Sequence, residues 1–281
     1  MDKTVGLSRR LCFAGQAVEL RHRHPAAGKV IDFLFADIAA DDPQPPRVTL
    51  DIRHDPGRGF QVHGSAGGTW GAGESLSRLA QILLTETLYQ LVYDLEQGLA
   101  IHAAALVKEG AGILIPGPTG AGKSTLTAWL ALKGWQYQTD ELVVLHLPGG
   151  RLEAFTRPVC LKPSAVPVIQ PLLTADALDQ CLAGPEGLLI PHRLLNADFR
   201  PMSVVPRIIL IPDYQRDVQP QLIPLSGART GFKLMGCHVN ARNLPGHGFA
   251  QVADLARDAR TFRLTYGGFQ GLAEVLDRLW Q

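Results

Sequence analysis

The stretch that most constrains this chain is "ILIPGPTGAGKSTLTAWLALKGWQYQTDELVVL", residues 113–145. Gly117, Pro118, Thr119, Gly120, Ala121, Gly122, Lys123 and Ser124 satisfy the spacing G-x-x-x-x-G-K-S. An apolar run precedes the pattern and a helix-forming run follows it, so the segment reads as strand, tight loop, helix. The glycines let the backbone curl until its N–H groups point inward, and the helix start adds a partial positive charge at the same place. That combination suits a phosphate. In such a loop Lys123 reaches the β- and γ-phosphates and Ser124 offers its hydroxyl to Mg²⁺. Thr125 is either an ordinary helix residue or a contact to the α-phosphate. The competing reading is a glycine-rich turn that binds nothing.

The predicted helix, residues 122–133, gives way to Gly134 and then to Asp140 and Glu141, which open a second apolar run, "ELVVLHL". If that run forms a strand beside the loop's strand, both acids come up close to the phosphates. Two carboxylates there offer two roles. One holds Mg²⁺, directly or through water; the other takes a proton from an attacking hydroxyl. So early an acidic pair is more like a compact kinase than like the many P-loop nucleoside triphosphatases whose second acid comes much later, at the end of a later apolar strand. Otherwise "TDE" is simply the solvated opening of a strand. His102, in "AIHAAALV", lies one short hairpin upstream of the loop. It is either structural or a functional group at the same mouth.

The first seventy residues read as short strands: "CFAGQAVEL", "KVIDFLFADI", "RVTLDIRH" and "GFQVHGS". Turns rich in Gly, Pro and Asp separate them, among them "DDPQPP" and "SAGGTWGAG". Residues 75–97 read as a helix, with Leu76, Leu79, Leu83, Tyr89 and Val92 at helical intervals, Ser75 or Ser77 as its cap and Gly98 as its end. From Leu99 two apolar strands joined by "KEG" lead into the loop, and "RIILIPDY" is a later strand. One domain boundary is expected near residue 98. It separates a small β-rich N-terminal module ending in a helix, residues 1–98, from an α/β P-loop domain, residues 99–281.

Composition narrows the function classes. Apolar residues make up 46% of the 281 and charged residues 19%, enough to bury a core. A formal net charge of +1 gives no bulk electrostatic case for nucleic acid or an anionic membrane as partner. Cys12, Cys160, Cys181 and Cys237 form no CxxC pair, so free thiols in a reducing cytoplasm are expected rather than disulfides or zinc. The first fifteen residues carry no signal-peptide pattern. The most apolar segment, residues 76–95, is interrupted by Arg78, Gln81, Glu86, Gln90 and Asp94 and is too polar to span a bilayer. A cytoplasmic protein is the expectation.

The order of His102 in "IHAAALV", then "GILIPGPTGAGKSTL", then "KGWQYQTDELVVL" resembles the HPr kinase/phosphorylase family, in particular the HPr-kinase-related proteins of bacterial peptide-modification clusters. "RPVCLKP" (157–163) and "HVNARNL" (238–244) are similar to further motifs of those kinases. The resemblance spans roughly residues 99–275 and is strongest over 100–145. It implies a P-loop kinase core of the HPr kinase type. It also implies ATP and Mg²⁺ as cofactors, a serine on a protein or ribosomally made peptide as phosphoryl acceptor, and homo-oligomeric assembly. Asp140 matches the first acid of the family's Asp-Asp pair, the catalytic base. Glu141 matches the second, which organises the metal; it keeps the charge and adds a methylene. His102 matches the histidine near the acceptor serine, and Lys123 the lysine of the loop. Glu186, in "GPEGLL", is the candidate for the family's metal-binding glutamate. The N-terminal module is the candidate for acceptor recognition. A small-molecule kinase, acting for example on free serine, and a non-catalytic ATP-binding module are the rival readings.

Other residues read both ways. Arg157 and Lys162 are either phosphate contacts or solvated loop charges. Asn240 and Arg242 either line the nucleotide or acceptor edge or cap a turn. His192, His238 and His247 show no metal-ligand spacing.

Overall fold

The computed structural model describes residues 6–40 and 45–280. Residues 41–44 of the expected "DDPQPP" turn, and the first five residues, lie outside the described residues.

Chain order is as follows. Up to residue 95 come β1 (Leu7–Phe13), β2 (Gln16–His22), α1 (Pro25–Phe35), β3 (Val48–Asp55), β4 (Gly59–Gly64), β5 (Thr69–Gly73) and α2 (Leu76–Val92). Residues 96–155 carry β6 (Gly98–Lys108), β7 (Ala111–Pro116), α3 (Lys123–Leu132), β8 (Gln136–Thr139), β9 (Leu142–His146) and β10 (Leu152–Ala154). Then follow β11 (Val159–Leu161), α4 (Val166–Ile169), α5 (Ala175–Asp179), β12 (Leu182–Gly184), β13 (Gly187–Ile190) and α6 (His192–Leu195). From residue 196 the elements are β14 (Pro206–Tyr214), β15 (Gln221–Pro224), α7 (Gly227–Met235), α8 (Phe249–Asp258), β16 (Arg260–Tyr266) and α9 (Leu272–Asp277).

The fold is mixed α/β with several sheets, and the chain divides into two units. The sequence points to one cut near residue 98. In the structure the first unit is discontinuous: Met1–Leu95 together with Thr156–Leu195. The second is Glu96–Phe155 with Asn196–Gln281.

In the first unit a five-stranded sheet runs β1-β2-β3-β4-β5. Ala14 and Gly15 both adopt positive φ, 49° and 73°, the two-residue turn whose twist matches a hairpin. "CFAGQAVEL" is therefore two antiparallel strands and not one. The β2–β3 pair is parallel and needs a crossover, which α1 supplies. "KVIDFLFADI", expected as a strand, belongs to that helix. Pro25 sits at its first position, the His24 ring accepts from the Ala26 amide, and Ala27, Val30, Ile31, Leu34 and Phe35 line its buried face. "SAGGTWGAG", expected as a turn, contains strand β5, paired antiparallel with β4. Ser75 caps α2 by accepting from the Arg78 amide; the helix ends at Val92, and Gly98 opens β6 instead of closing the helix. A three-stranded sheet, β11-β13-β12, completes the unit.

His192 in this unit is buried, with Nε2 2.9 Å from Asp37 Oδ2. Burial pushes its imidazole down to about 4, against the opposing pull of Asp37 and with the help of Arg193. Between that value and the usual 6.5 the unfolded chain binds a proton that the folded chain refuses. Stability is therefore complete above about pH 6.5 and falls as the pH drops toward 4. We expect the difference in unfolding free energy between wild type and His192→Gln, read by urea denaturation, to shrink by about 2 kcal/mol from pH 7 to pH 4.5.

The second unit is built on a larger sheet in the order β10-β9-β6-β7-β14-β16-β15, with β8 also paired to β6. β7, β14 and β16 are mutually parallel in sequence across the sheet, whereas β6 runs antiparallel to β7 and to β9. "WQYQT", read as a connection, contains β8. Leu99, Ile101, Ala103 and Ala105 of β6 join a buried cluster with Ile209, Leu234, Val252 and Ala256. Strand residues alternate between faces, so that pleat turns His102 to the opposite face of β6. Among the described residues no helix is long and apolar enough to cross a membrane.

Candidate functional site

β7 delivers the chain at Pro116 to the glycine-rich turn, and α3 starts at Lys123. Gly120 and Gly122 have φ of 92° and 83°, the left-handed region that glycine enters without strain. A Cβ on Gly122 would also lie 3.1 Å from the Tyr266 hydroxyl. Gly122 is the N-cap of α3, and no side chain caps the helix. Its first N–H groups are thus presented without a side-chain acceptor, which fits an anion at the turn.

Lys123 is buried, with 6% of its surface exposed, so its ammonium is committed to local partners. Nζ donates to the Gly117 carbonyl at 2.7 Å and to the Pro118 carbonyl at 3.2 Å. It also lies 2.9 Å from His102 Nε2. An ammonium only donates, so Nε2 accepts and the ring proton belongs on Nδ1, which sits 3.2 Å from Glu141 Oε1. Lys123, His102 and Glu141 thereby form one connected line.

Strand register explains why these three meet. Ala103 of β6 faces Pro116 of β7, and the neighbouring His102 faces Leu142 of β9. The start of β9 and the end of β7 therefore share one edge of the sheet. The strand after the acids does not lie directly beside the loop's strand; β6 lies between them and carries His102 into the gap. Asp140, at the β8–β9 junction, is buried with 1% exposure, and the Tyr137 hydroxyl donates to its Oδ1 at 3.4 Å. The junction is held by Thr139, whose hydroxyl donates to the Phe155 carbonyl and accepts from the Glu141 amide. Asp140 is not the solvated strand opening that was the alternative. Ser124 and Thr125, both partly buried, occupy the first turn of α3.

Where β7 turns away into the loop, residues 237–240 take over the edge of β6. The His102 amide donates to the Cys237 carbonyl at 2.8 Å and the Val239 amide to the Ala100 carbonyl at 2.9 Å. The Asn240 side chain closes the splice, accepting from the Ala100 amide and donating to the Gly98 carbonyl. Asn240 is thus a clamp on β6. His238 Nε2 lies 3.0 Å from Asn240 Oδ1, and burial lowers its pKa. Burial raises the Cys237 thiol, while the charges of Lys123 and Lys233 and the backbone of Gly117 pull it back.

A cavity of about 330 Å³ opens against the loop. Gly117, Pro118 and Gly120 of the loop line it together with Asp213, Tyr214 and Lys233. Sequence reading missed Asp213 and Lys233. Asp213 carried a readable signal, an apolar strand ending in an acid. Ile209 pairs with Leu114, two residues short of the end of β7, so the parallel strand β14 runs on past the start of the loop before it ends at Tyr214. For Lys233, in "GFKLM", no local signal exists.

Arg157, Lys162, Glu186 and His192 belong to the first unit. There Glu186 accepts from the Ser77 hydroxyl at 2.7 Å. Among the described residues no group of three or more His, Cys, Asp or Glu is arranged to hold a metal ion. That is compatible with Mg²⁺ brought in on a polyphosphate, because such sites take only one or two protein ligands and complete the shell with phosphate and water. Ser124 and Glu141 are the residues in hand for that task.

An uncapped helix start behind a glycine loop, with a buried lysine beside it, has the chemistry to receive a phosphate. No family model matches the sequence, and no curated protein matches it. Among solved structures, the Hpr(Ser) kinase/phosphatase from Coxiella burnetii is similar at 14% identity over 64% of this chain and 87% of that chain. The TM-score of 0.33 is too low for the likeness to carry any argument about fold or activity.

Proposed function

We propose that this chain is an ATP-dependent kinase with a P-loop core of the HPr kinase type, transferring the γ-phosphoryl group to a serine hydroxyl of a protein or peptide. The observation that carries the reading is the line Lys123–His102–Glu141, which ties the loop's lysine to the acidic pair across β6. A glycine turn that binds nothing has no need of a buried ammonium coupled to a carboxylate two strands away.

In this reading the amides of residues 117–124 and the Lys123 ammonium hold the phosphates. Ser124 and Glu141 hold Mg²⁺, which neutralises phosphate charge when bound. The serine oxygen attacks the γ-phosphorus, its bond to the β,γ-bridging oxygen breaks, ADP leaves, and the serine proton passes to Asp140. Lys123 and the loop amides stabilise the charge that develops on the transferred group. His102, with Nδ1 aimed at Glu141 and Nε2 at Lys123, keeps both charged groups oriented beside the acceptor.

Incubation with γ-labelled ATP, Mg²⁺ and panels of serine peptides, proteins and free metabolites tests the reading. Label on the serine of a polypeptide is expected. Turnover on free serine or another metabolite, with none on polypeptides, overturns the acceptor assignment. Saturable ATP binding with no transfer to any acceptor class overturns the kinase and leaves an ATP-binding module.

A further inference from the structure

We propose that Lys233 is a second cation for the terminal phosphate of the bound nucleotide, reaching it from α7 and not from the loop; this rests on the phosphate-loop reading above. Lys233 stands in the last turn of α7. Two backbone hydrogen bonds fix where that turn ends. The Cys237 amide bonds back to Leu234, and the Cys237 carbonyl takes the amide of His102. The C-terminal end of α7 is therefore fastened to β6 at the point where the loop departs.

Gly117, Pro118 and Lys233 all line the cavity beside the loop. The carbonyls of Gly117 and Pro118 receive the Lys123 ammonium. They mark the end of the loop where the lysine of such a motif meets the β- and γ-phosphates. Both ammonium groups act on the thiol of Cys237, which packs against the Gly117 backbone. Two positive charges thus bear on one small space from different elements. Among the described residues no carboxylate forms an ion pair with Lys233, and its flexible stem lets the head turn into the cavity. Asp213 is the carboxylate that lines the same cavity, one negative charge against two positive ones; a phosphate with several unshared negative oxygens supplies the rest. A cation outside the loop's own lysine is also what phosphoryl transfer uses to stabilise the spread negative charge of the group in flight. ADP has no group at that position, so Lys233 contributes to triphosphate and not to diphosphate binding.

The test is equilibrium binding of ADP and of a non-hydrolysable ATP analogue, each with Mg²⁺, to the full chain. Wild type is compared with Lys233→Gln, Lys233→Arg and Arg229→Gln. Lys233 is exposed, so its replacement leaves the fold intact. Lys233→Gln is expected to weaken the triphosphate analogue about tenfold or more, the loss of one charge-assisted contact, with ADP affinity held within about twofold. Lys233→Arg is expected to recover most of the loss. Arg229→Gln, which removes one charge from the same helix away from the cavity, is expected to change neither affinity. Equal weakening of both nucleotides by Lys233→Gln, or no weakening of the triphosphate, overturns the proposal. Wild type that binds neither nucleotide overturns the phosphate-loop reading, and this assignment with it.

Discussion

Replacing Asp140 by Asn is expected to lower the rate of phosphoryl transfer by about a thousandfold while leaving nucleotide affinity within about twofold. The size follows from the role. General-base assistance contributes some two to four orders of magnitude, and an amide of the same shape cannot take the proton. The retention of binding follows from position. Asp140 lies at the β8–β9 junction, whereas the loop and Lys123, to which the proposal assigns the phosphate contacts, follow β7 on the other side of β6. The fold should tolerate the exchange, because the Tyr137 hydroxyl can donate to an amide oxygen as it does to Oδ1. Single-turnover transfer rates and equilibrium nucleotide binding separate the two effects. A variant that transfers within about tenfold of wild type removes Asp140 from the role of base. A variant that loses nucleotide binding assigns it to the metal, and Glu141 then becomes the candidate for the proton.

What the sequence made legible was local. The turn of the loop, the strand before it and the helix behind it are each dictated by residues within a few positions of one another. "GILI" can only be buried, Gly120 and Gly122 alone enter positive φ freely, and Lys123 opens a good helix. The hairpin "LAIHAAALV-KEG-AGILIPG" was readable for the same reason, and it is what brings His102 within reach of the loop. Misreadings came where periodicity is ambiguous or the compensation is distant. "KVIDFLFADI" is a continuous apolar run, and such runs do not distinguish strand from buried helix. The deciding residues, Pro25 and the His24 cap, lie just outside it. β8 hides behind polar letters: Gln138 is buried because its side chain donates to the Arg200 carbonyl and accepts from the Met202 amide, some sixty residues on. No window of local sequence contains that bargain. The return of residues 156–195 to the first unit is non-local in the same way. So is the approach of Lys233 to the loop, which depends on how residues 237–240 splice onto β6.

The other large effect belongs to Lys123. Its ammonium is held by two loop carbonyls and His102, already in the place from which it would reach phosphate oxygens. Lys123→Met keeps the length of the side chain and removes the charge. Loss of charge-assisted contacts to two phosphates amounts to about 3 kcal/mol, which is about a hundredfold in affinity. A thermal shift makes this visible without any acceptor. With ATP analogue and Mg²⁺ at a hundred times the wild-type dissociation constant, linkage stabilises wild type by about 2.7 kcal/mol. The same concentration only matches the raised constant of the variant and stabilises it by about 0.4 kcal/mol. For a chain of this size that separates a shift of roughly 6 °C from one of roughly 1 °C. The apo variant is expected to melt close to wild type, because removing the ammonium frees two carbonyls but also relieves the cost of burying a charge. Equal ligand-induced shifts in wild type and variant would mean that the buried lysine serves the fold and not a phosphate. The line from Lys123 through His102 to Glu141 would then be a structural brace between β9 and the loop, and the kinase reading would lose its main support.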